Sequence, residues 1–167
     1  MSESSGGAPS ISIRAASEAD HAAVASLYRE VWMETHAPLQ PPEVAAFRDI
    51  EFFRRRVAGL GGTMLVASDA AGIAGFAHWS GDLLGQLYIG RRLRGGGIGH
   101  RLLAMAEAGV KEAGLPLIRL YCLLGNDAAR AFYERRRWRV RQVLDRTAET
   151  ANGPVPTRVW EMVKPLA

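Results

Sequence analysis

The sequence predicts an α/β fold built on one mixed sheet, with elements in the order βααβββαβαββ. Three observations lead there. "TMLVASD" and "IAGFAHWS" flank the small-residue turn "AAG" and run on into "LLGQLYI", which reads as a three-strand meander. The glycine- and arginine-rich run "GRRLRGGGIG" then separates that strand from a segment in which Ile98, Leu102, Met105, Ala106, Gly109 and Val110 recur at helical spacing. Beyond that helix, "LIRLYCLL" is a strongly apolar strand. A strand, helix, strand unit with short connections gives parallel neighbours and a right-handed crossover, so "LLGQLYI" and "LIRLYCLL" form a parallel pair within the sheet.

The other elements follow in order. Residues 1–10, "MSESSGGAPS", are small and polar, cannot bury enough surface to order themselves, and are expected to be a disordered tail, leaving 11–167 as a single domain. "ISIRAA" alternates as a short strand, and Ser17 is an N-cap before the helical "EADHAAVASLYREVWMETH". Pro41 and Pro42 open a second helix through "EVAAFRDIEFFRRRV". The helix after the glycines stops at Gly114-Leu115-Pro116, and Asn126 caps a helix running through "DAARAFYERRR". "WRVRQVLDRT" and "VPTRVWEMVK" close the chain as a hairpin around "TANGPVP".

Composition narrows the function classes. The 167 residues are 48% hydrophobic and 23% charged, enough for one ordinary core, with no apolar run near the roughly 20 residues a membrane helix needs. The start has neither a basic nor an apolar signal region, so a cytoplasmic protein is expected. A single cysteine, Cys122, excludes an internal disulfide and any multi-cysteine metal site, and no metal is expected. The net charge of +4 is unevenly spread: arginines concentrate in "RRLRGGGIGHR" and "RRRWRVR".

Glycines between a strand and a helix let backbone N–H groups converge on one spot, where the helix dipole adds about half a positive charge. Arg91, Arg92, Arg94 and Arg101 surround that spot, so a phosphate, and naturally a diphosphate, is the expected occupant. A dinucleotide fingerprint fits poorly, because its third glycine falls on Leu102 and Cys122, Leu123 and Leu124 replace the acid that would end the next strand. A P-loop would need a Gly-Lys-Ser/Thr ending.

Arg94-x-x-Gly97-x-Gly99 after an apolar strand resembles the acetyl-CoA signature of the GCN5-related N-acetyltransferase (GNAT) family. "GNDAARAFYERRRW" is similar to the family's second motif, with Asn126 opening the helix and Tyr133 two turns on, and "VWEMVKPL" resembles its last strand. The resemblance spans nearly the whole chain. It implies a GNAT-type sheet, mixed but mostly antiparallel, with a splayed parallel pair in the middle and helices on both faces. Acetyl-CoA would lie in the cleft of that pair and leave as CoA. Backbone groups of Leu87, Tyr88 and Ile89 would pair with the pantetheine, and Arg94, Gly95, Gly96, Gly97, Ile98, Gly99 and His100 would cradle the pyrophosphate. Asn126 would touch the pantetheine and Tyr133 would reach the sulfur. Asn126 and Tyr133 stand one heptad apart and so share one side of a helix.

The chemistry implied is direct transfer of an acetyl group to a primary amine through a ternary complex. An amine of pKa about 10 must lose a proton before it attacks. The N–H of Ile89 would stabilise the oxyanion and Tyr133 would protonate the departing thiolate. No serine or cysteine nucleophile is required, and Cys122 reads as an inert buried thiol. The general base stays open: Leu83 stands where many relatives carry glutamate, with Asp82 beside it on the opposite face, and Glu34, His36, His78 and a water relay are alternatives. Arg91 and Arg137 replace a usual proline and glycine at turns. Trp32, Glu34, His36, His78, Trp79, Asp82 and the last hairpin would frame a substrate pocket suited to a cationic amine, of a small molecule or a peptide. No nucleic-acid or membrane partner is expected, and a homodimer is left open. The alternatives are a nucleic-acid-binding module using "RRRWRVR", and a CoA-bound sensor without turnover.

Overall fold

The computed structural model describes residues 10–167, so the expected tail, Ser10 apart, lies outside the described residues. Among these, the chain forms β1 (Ser12–Ala15), α1 (His21–Thr35), α2 (Pro42–Phe47), α3 (Ile50–Ala58), β2 (Thr63–Asp69), β3 (Gly72–Ser80), β4 (Leu83–Ile89), α4 (Ile98–Glu112), β5 (Leu117–Leu123), α5 (Asp127–Glu134), β6 (Arg139–Ala148) and β7 (Val155–Pro165). The strands join in one sheet in the order β1-β2-β3-β4-β5-β7-β6, antiparallel except for β4 and β5.

Two local expectations need correction. The second helix is two: Asp49 adopts an extended conformation and its carboxylate accepts from the N–H of Phe52 at 2.8 Å, which caps α3 and breaks the run after α2. Ser17 precedes a short 3-10 turn over Glu18–Asp20 that leads into α1.

Strand alternation sends side chains to two faces. On one face, Val66 and Phe76 pack beneath α1 and α3, against Val24, Tyr28 and Phe53. On the other, Leu65, Ala67, Ala74 and Ala77 meet Ile98 and Leu102 of α4, and Leu84, Ile118, Leu120 and Met162 meet Leu103, Ala106 and Val110 together with Trp138. Because α4 touches both of these clusters, its buried arc includes the consecutive Leu102 and Leu103, whereas Met105, expected in the stripe, is 41% exposed. Among the described residues, the α1 side of β5, β7 and β6 carries no helix of its own over Tyr121 and Glu161.

Gly109 of α4 lets the sheet approach closely, since a Cβ there would stand 2.6 Å from the Trp79 indole. Gly109→Ala is therefore expected to lose about 1–3 kcal/mol to overpacking, outweighing alanine's gain of up to about 1 kcal/mol in helix propensity. Chemical denaturation measures this, and a stabilised variant would contradict the packing.

The feature that matters for function is the middle of the sheet. β4 and β5 pair at Leu83 and Arg119 alone, and the Arg119 N–H reaches the Asp82 carbonyl at 2.9 Å. The β3–β4 register shifts between His78 and Trp79, so that Gly85 is an extra residue in β4. Such a bulge bends the strand. Beyond it β4 leaves β5, which continues beside β7, and the C-terminal ends of the parallel pair stand apart.

Candidate functional site

The splay opens a slot of about 780 Å³ through the sheet, lined along both strands by Leu84 to Ile89 and Leu120 to Leu123. The Gly90 N–H donates to the Ala74 carbonyl at 2.7 Å, so by alternation Tyr88 also faces β3, while the backbone groups of Leu87 and Ile89 face the slot. That places unpaired strand backbone inside a concave site.

At the wide end, the chain passes from a 3-10 turn over Arg91–Leu93 through the glycines into α4. Gly95 and Gly97 have φ of +81° and +79°, left-handed conformations that a side chain would strain. Gly97 is the N-cap of α4, and the first helical bond runs from the Arg101 N–H to its carbonyl at 3.0 Å. The N–H groups of Ile98, Gly99 and His100 are left without helical acceptors, pointing out of the positive end of a fifteen-residue helix. Gly95, Gly97, Ile98, Gly99 and His100 line the slot, as does Arg94; Gly96 does not.

Arg94 is held from two sides: its Nε donates to the Ile89 carbonyl at 2.9 Å and its Nη1 to Glu34 at 2.6 Å. Arg91 stands 3.2 Å from the same carboxylate. The Arg94 hydrogen bond holds the Glu34 pKa below its ordinary value, so Glu34 ties the end of α1 to the loop and does not line the slot.

Across the slot, the Asn126 side chain caps α5 by accepting from the Ala129 N–H at 3.3 Å. Tyr133 lies further along the same helix, its ring packed against Phe132 and Trp138 at centroid distances of 5.2 and 5.6 Å. Burial, with the neighbouring Cys122 adding to it, raises the Tyr133 pKa and keeps the phenol protonated. Both residues line the slot, and so does Cys122, whose thiol burial pushes up to about 11.

Among the other expected pocket residues, His36 alone lines the slot; it stacks on Trp32 and lies near Tyr88, and burial lowers its pKa to about 4. Trp32 itself is core. Trp79 packs on Gly109, and Asp82 is bound to the Arg119 Nε at 3.0 and 3.1 Å. His78 is buried, with Nε2 against the Gly61 carbonyl and Nδ1 unpartnered beside Gly85. The slot thus gathers the glycine loop, the β4 backbone, Asn126 and Tyr133, and leaves Trp32, Glu34, His78, Trp79 and Asp82 outside its lining.

Several lining residues were not anticipated. Arg136 joins the two helix ends, donating to His100 Nδ1 and the Phe132 carbonyl at 2.9 Å each, and it lines the slot with Arg135. The arginine run that contains them was the only local signal. Gln86, 8% exposed, enters the lining directly after the bulge; a polar residue inside an apolar strand was its trace in the sequence. Tyr121 on β5 also lines the slot.

Comparison with known proteins agrees with this architecture. The model of the Acetyltransferase (GNAT) family matches residues 23–137. No curated protein matches the chain. Among solved structures, a ribosomal-protein-alanine N-acetyltransferase from Brucella melitensis is 22% identical, with a TM-score of 0.71 over 93% of this chain and 99% of that one. The putative acetyltransferase yncA from Salmonella typhimurium, solved with its cofactor acetyl-CoA, is 18% identical, with a TM-score of 0.70 over 95% of each chain. The PaiA N-acetyltransferase from Thermoplasma acidophilum, in complex with coenzyme A, is 22% identical, with a TM-score of 0.66 over 93% of this chain and 99% of that one. Identities this low speak for the fold alone.

Proposed function

Since this chain belongs to the GNAT acetyltransferase family, we propose that it moves an acetyl group from acetyl-CoA directly to a primary amine of a small molecule or peptide. One observation carries the reading: the free N–H groups of Ile98, Gly99 and His100 stand at the mouth of a slot into which β4 backbone and Tyr133 also open. An anion site leading into a narrow slot with unpaired backbone fits a diphosphate with an amide-bearing arm.

Acetyl-CoA supplies an activated thioester and a good leaving group. The chain does the rest by position. Ile98, Gly99 and His100 hold the pyrophosphate through their amides, with Arg94, Arg135 and Arg136 adding charge at the rim. Leu87 offers its backbone groups to the pantetheine, the Ile89 N–H, its carbonyl being held by Arg94, donates to the acyl oxygen where negative charge grows, and Asn126 steadies the arm. The Tyr133 hydroxyl hands its proton to the sulfur as the thiolate leaves.

Proton removal from the amine has no strong base in this arrangement. No aspartate or glutamate among the described residues lines the slot, and His36, with a pKa of about 4, is neutral at physiological pH but a weak base. His100 lines the slot at the glycine-loop end with its Nδ1 taken by Arg136, which leaves water as the route. The pH profile of kcat/KM should therefore rise toward the amine's own pKa and show no limb near pH 6 to 7 that survives a change of amine, because a limb from His36 would lie near 4. A limb in that range abolished in His36→Asn would place the base on the protein.

The test of the function is thiol release from acetyl-CoA over a panel of amines, together with thermal protection by acetyl-CoA. Turnover with protection supports the reading. Protection without turnover would indicate a CoA-binding sensor, and nucleic-acid affinity without protection would overturn it.

A further inference from the structure

The acids expected to attract a cationic substrate are already engaged, Glu34 by Arg94 and Arg91, and Asp82 by Arg119. Neither lines the slot, and among the described residues its lining holds no carboxylate at all. A second ammonium on the acceptor would meet nothing to balance it, at an electrostatic cost that grows as water is excluded.

The helix-free face beside the slot has the opposite character. Pairing sets Tyr121, Glu161 and Gln142 in one row across β5, β7 and β6, and Leu123, Val159 and Leu144 in the next. Glu161 is closed off by Arg141 and Gln142 at 2.6 and 3.0 Å. Arg146, two residues past Leu144 and on the same face, folds back until its Cζ lies 4.1 Å from the centre of the Tyr121 ring. The ion pairs around it, Arg141 with Glu161 and Arg158 with Asp145, leave it without an acidic partner among the described residues. Tyr121 itself accepts from Arg119 Nη1 at 2.5 Å, so its own O–H proton is free to be donated. Tyr121 lines the slot and Arg146, outside that lining, stacks on its ring; a guanidinium with no acidic partner among the described residues, together with a donor hydroxyl, is complementary to oxygen atoms carrying negative charge.

We propose that the acceptor is a small amine that also bears an anionic oxygen group, a carboxylate or phosphonate, and that Arg146 with the Tyr121 hydroxyl binds that group and turns the amine toward the slot. This rests on the acetyltransferase reading above and narrows its substrate class. Polyamines and aminoglycosides are poor acceptors on this account.

The experiment compares kcat/KM for an α-amino acid, its aminophosphonate analogue, its carboxamide and spermidine, with acetyl-CoA saturating. The anionic amines should exceed the carboxamide by about tenfold or more, mainly through KM, and spermidine should rank last. In Arg146→Gln the acid-to-amide ratio should fall toward one, with Arg146→Lys restoring part of it. Arg146 is exposed on an edge strand, so the variant is expected to fold, and its acetyl-CoA protection serves as the check. Spermidine or the carboxamide matching the acid, or Arg146→Gln slowing every amine alike, would overturn the proposal while leaving acetyl transfer intact. No turnover with any amine would remove both, and loss of acetyl-CoA protection in the parent protein would trace that failure to the cofactor site.

Discussion

Tyr133→Phe is expected to lower kcat by about 10²-fold or more while acetyl-CoA affinity changes little. The ring remains between Phe132 and Trp138, so packing is kept and only the proton is lost. Burial disfavours the phenolate, so the hydroxyl keeps its proton through the neutral range and can donate it to sulfur as charge develops there. Single-turnover acyl transfer is the deciding measurement, since product release can mask chemistry in the steady state. A chemical step as fast as the parent's would remove Tyr133 from the mechanism.

Gly99→Asp should reduce acetyl-CoA binding below calorimetric detection. A Cβ at Gly99 would meet Ile89 and the Phe132 ring at 3.5 Å, ordinary contact that a methyl group tolerates. A carboxylate there stands among the N–H groups of Ile98, Gly99 and His100, where it competes for the donors and repels a diphosphate. Gly99→Ala separates bulk from charge and should still fold and bind. If the aspartate variant folds and binds like the alanine one, the pyrophosphate lies elsewhere.

What was legible in the sequence was local. Glycines at a strand-to-helix junction, Asn126 as an N-cap one heptad before Tyr133, and strands bounded by turn residues are each set by neighbours within a few positions. They led to the element order and to the glycine loop and α5 that line the slot from two sides, and the family match over residues 23–137 agrees with the family they suggested. The split of the second helix was missed for an equally local reason, because Asp49 can continue a helix or cap the next one and only its bond to Phe52 decides.

The acceptor end depended on contacts that no periodicity encodes. Glu34 reads as a free acid until Arg94, 60 residues later, is found against it, and Asp82 until Arg119 is. Gln86 lies in the lining because the extra residue at Gly85 changes the alternation, and His78 sits buried beside that same glycine. The sequence by itself determined where a helix start leaves backbone N–H groups free, because those groups need no distant partner. Only the tertiary structure decided which charges stay matched, because a side chain's effective charge depends on which opposite charge the fold brings within a few ångströms, and here Glu34 and Asp82 are matched while Arg146 has no acidic partner among the described residues.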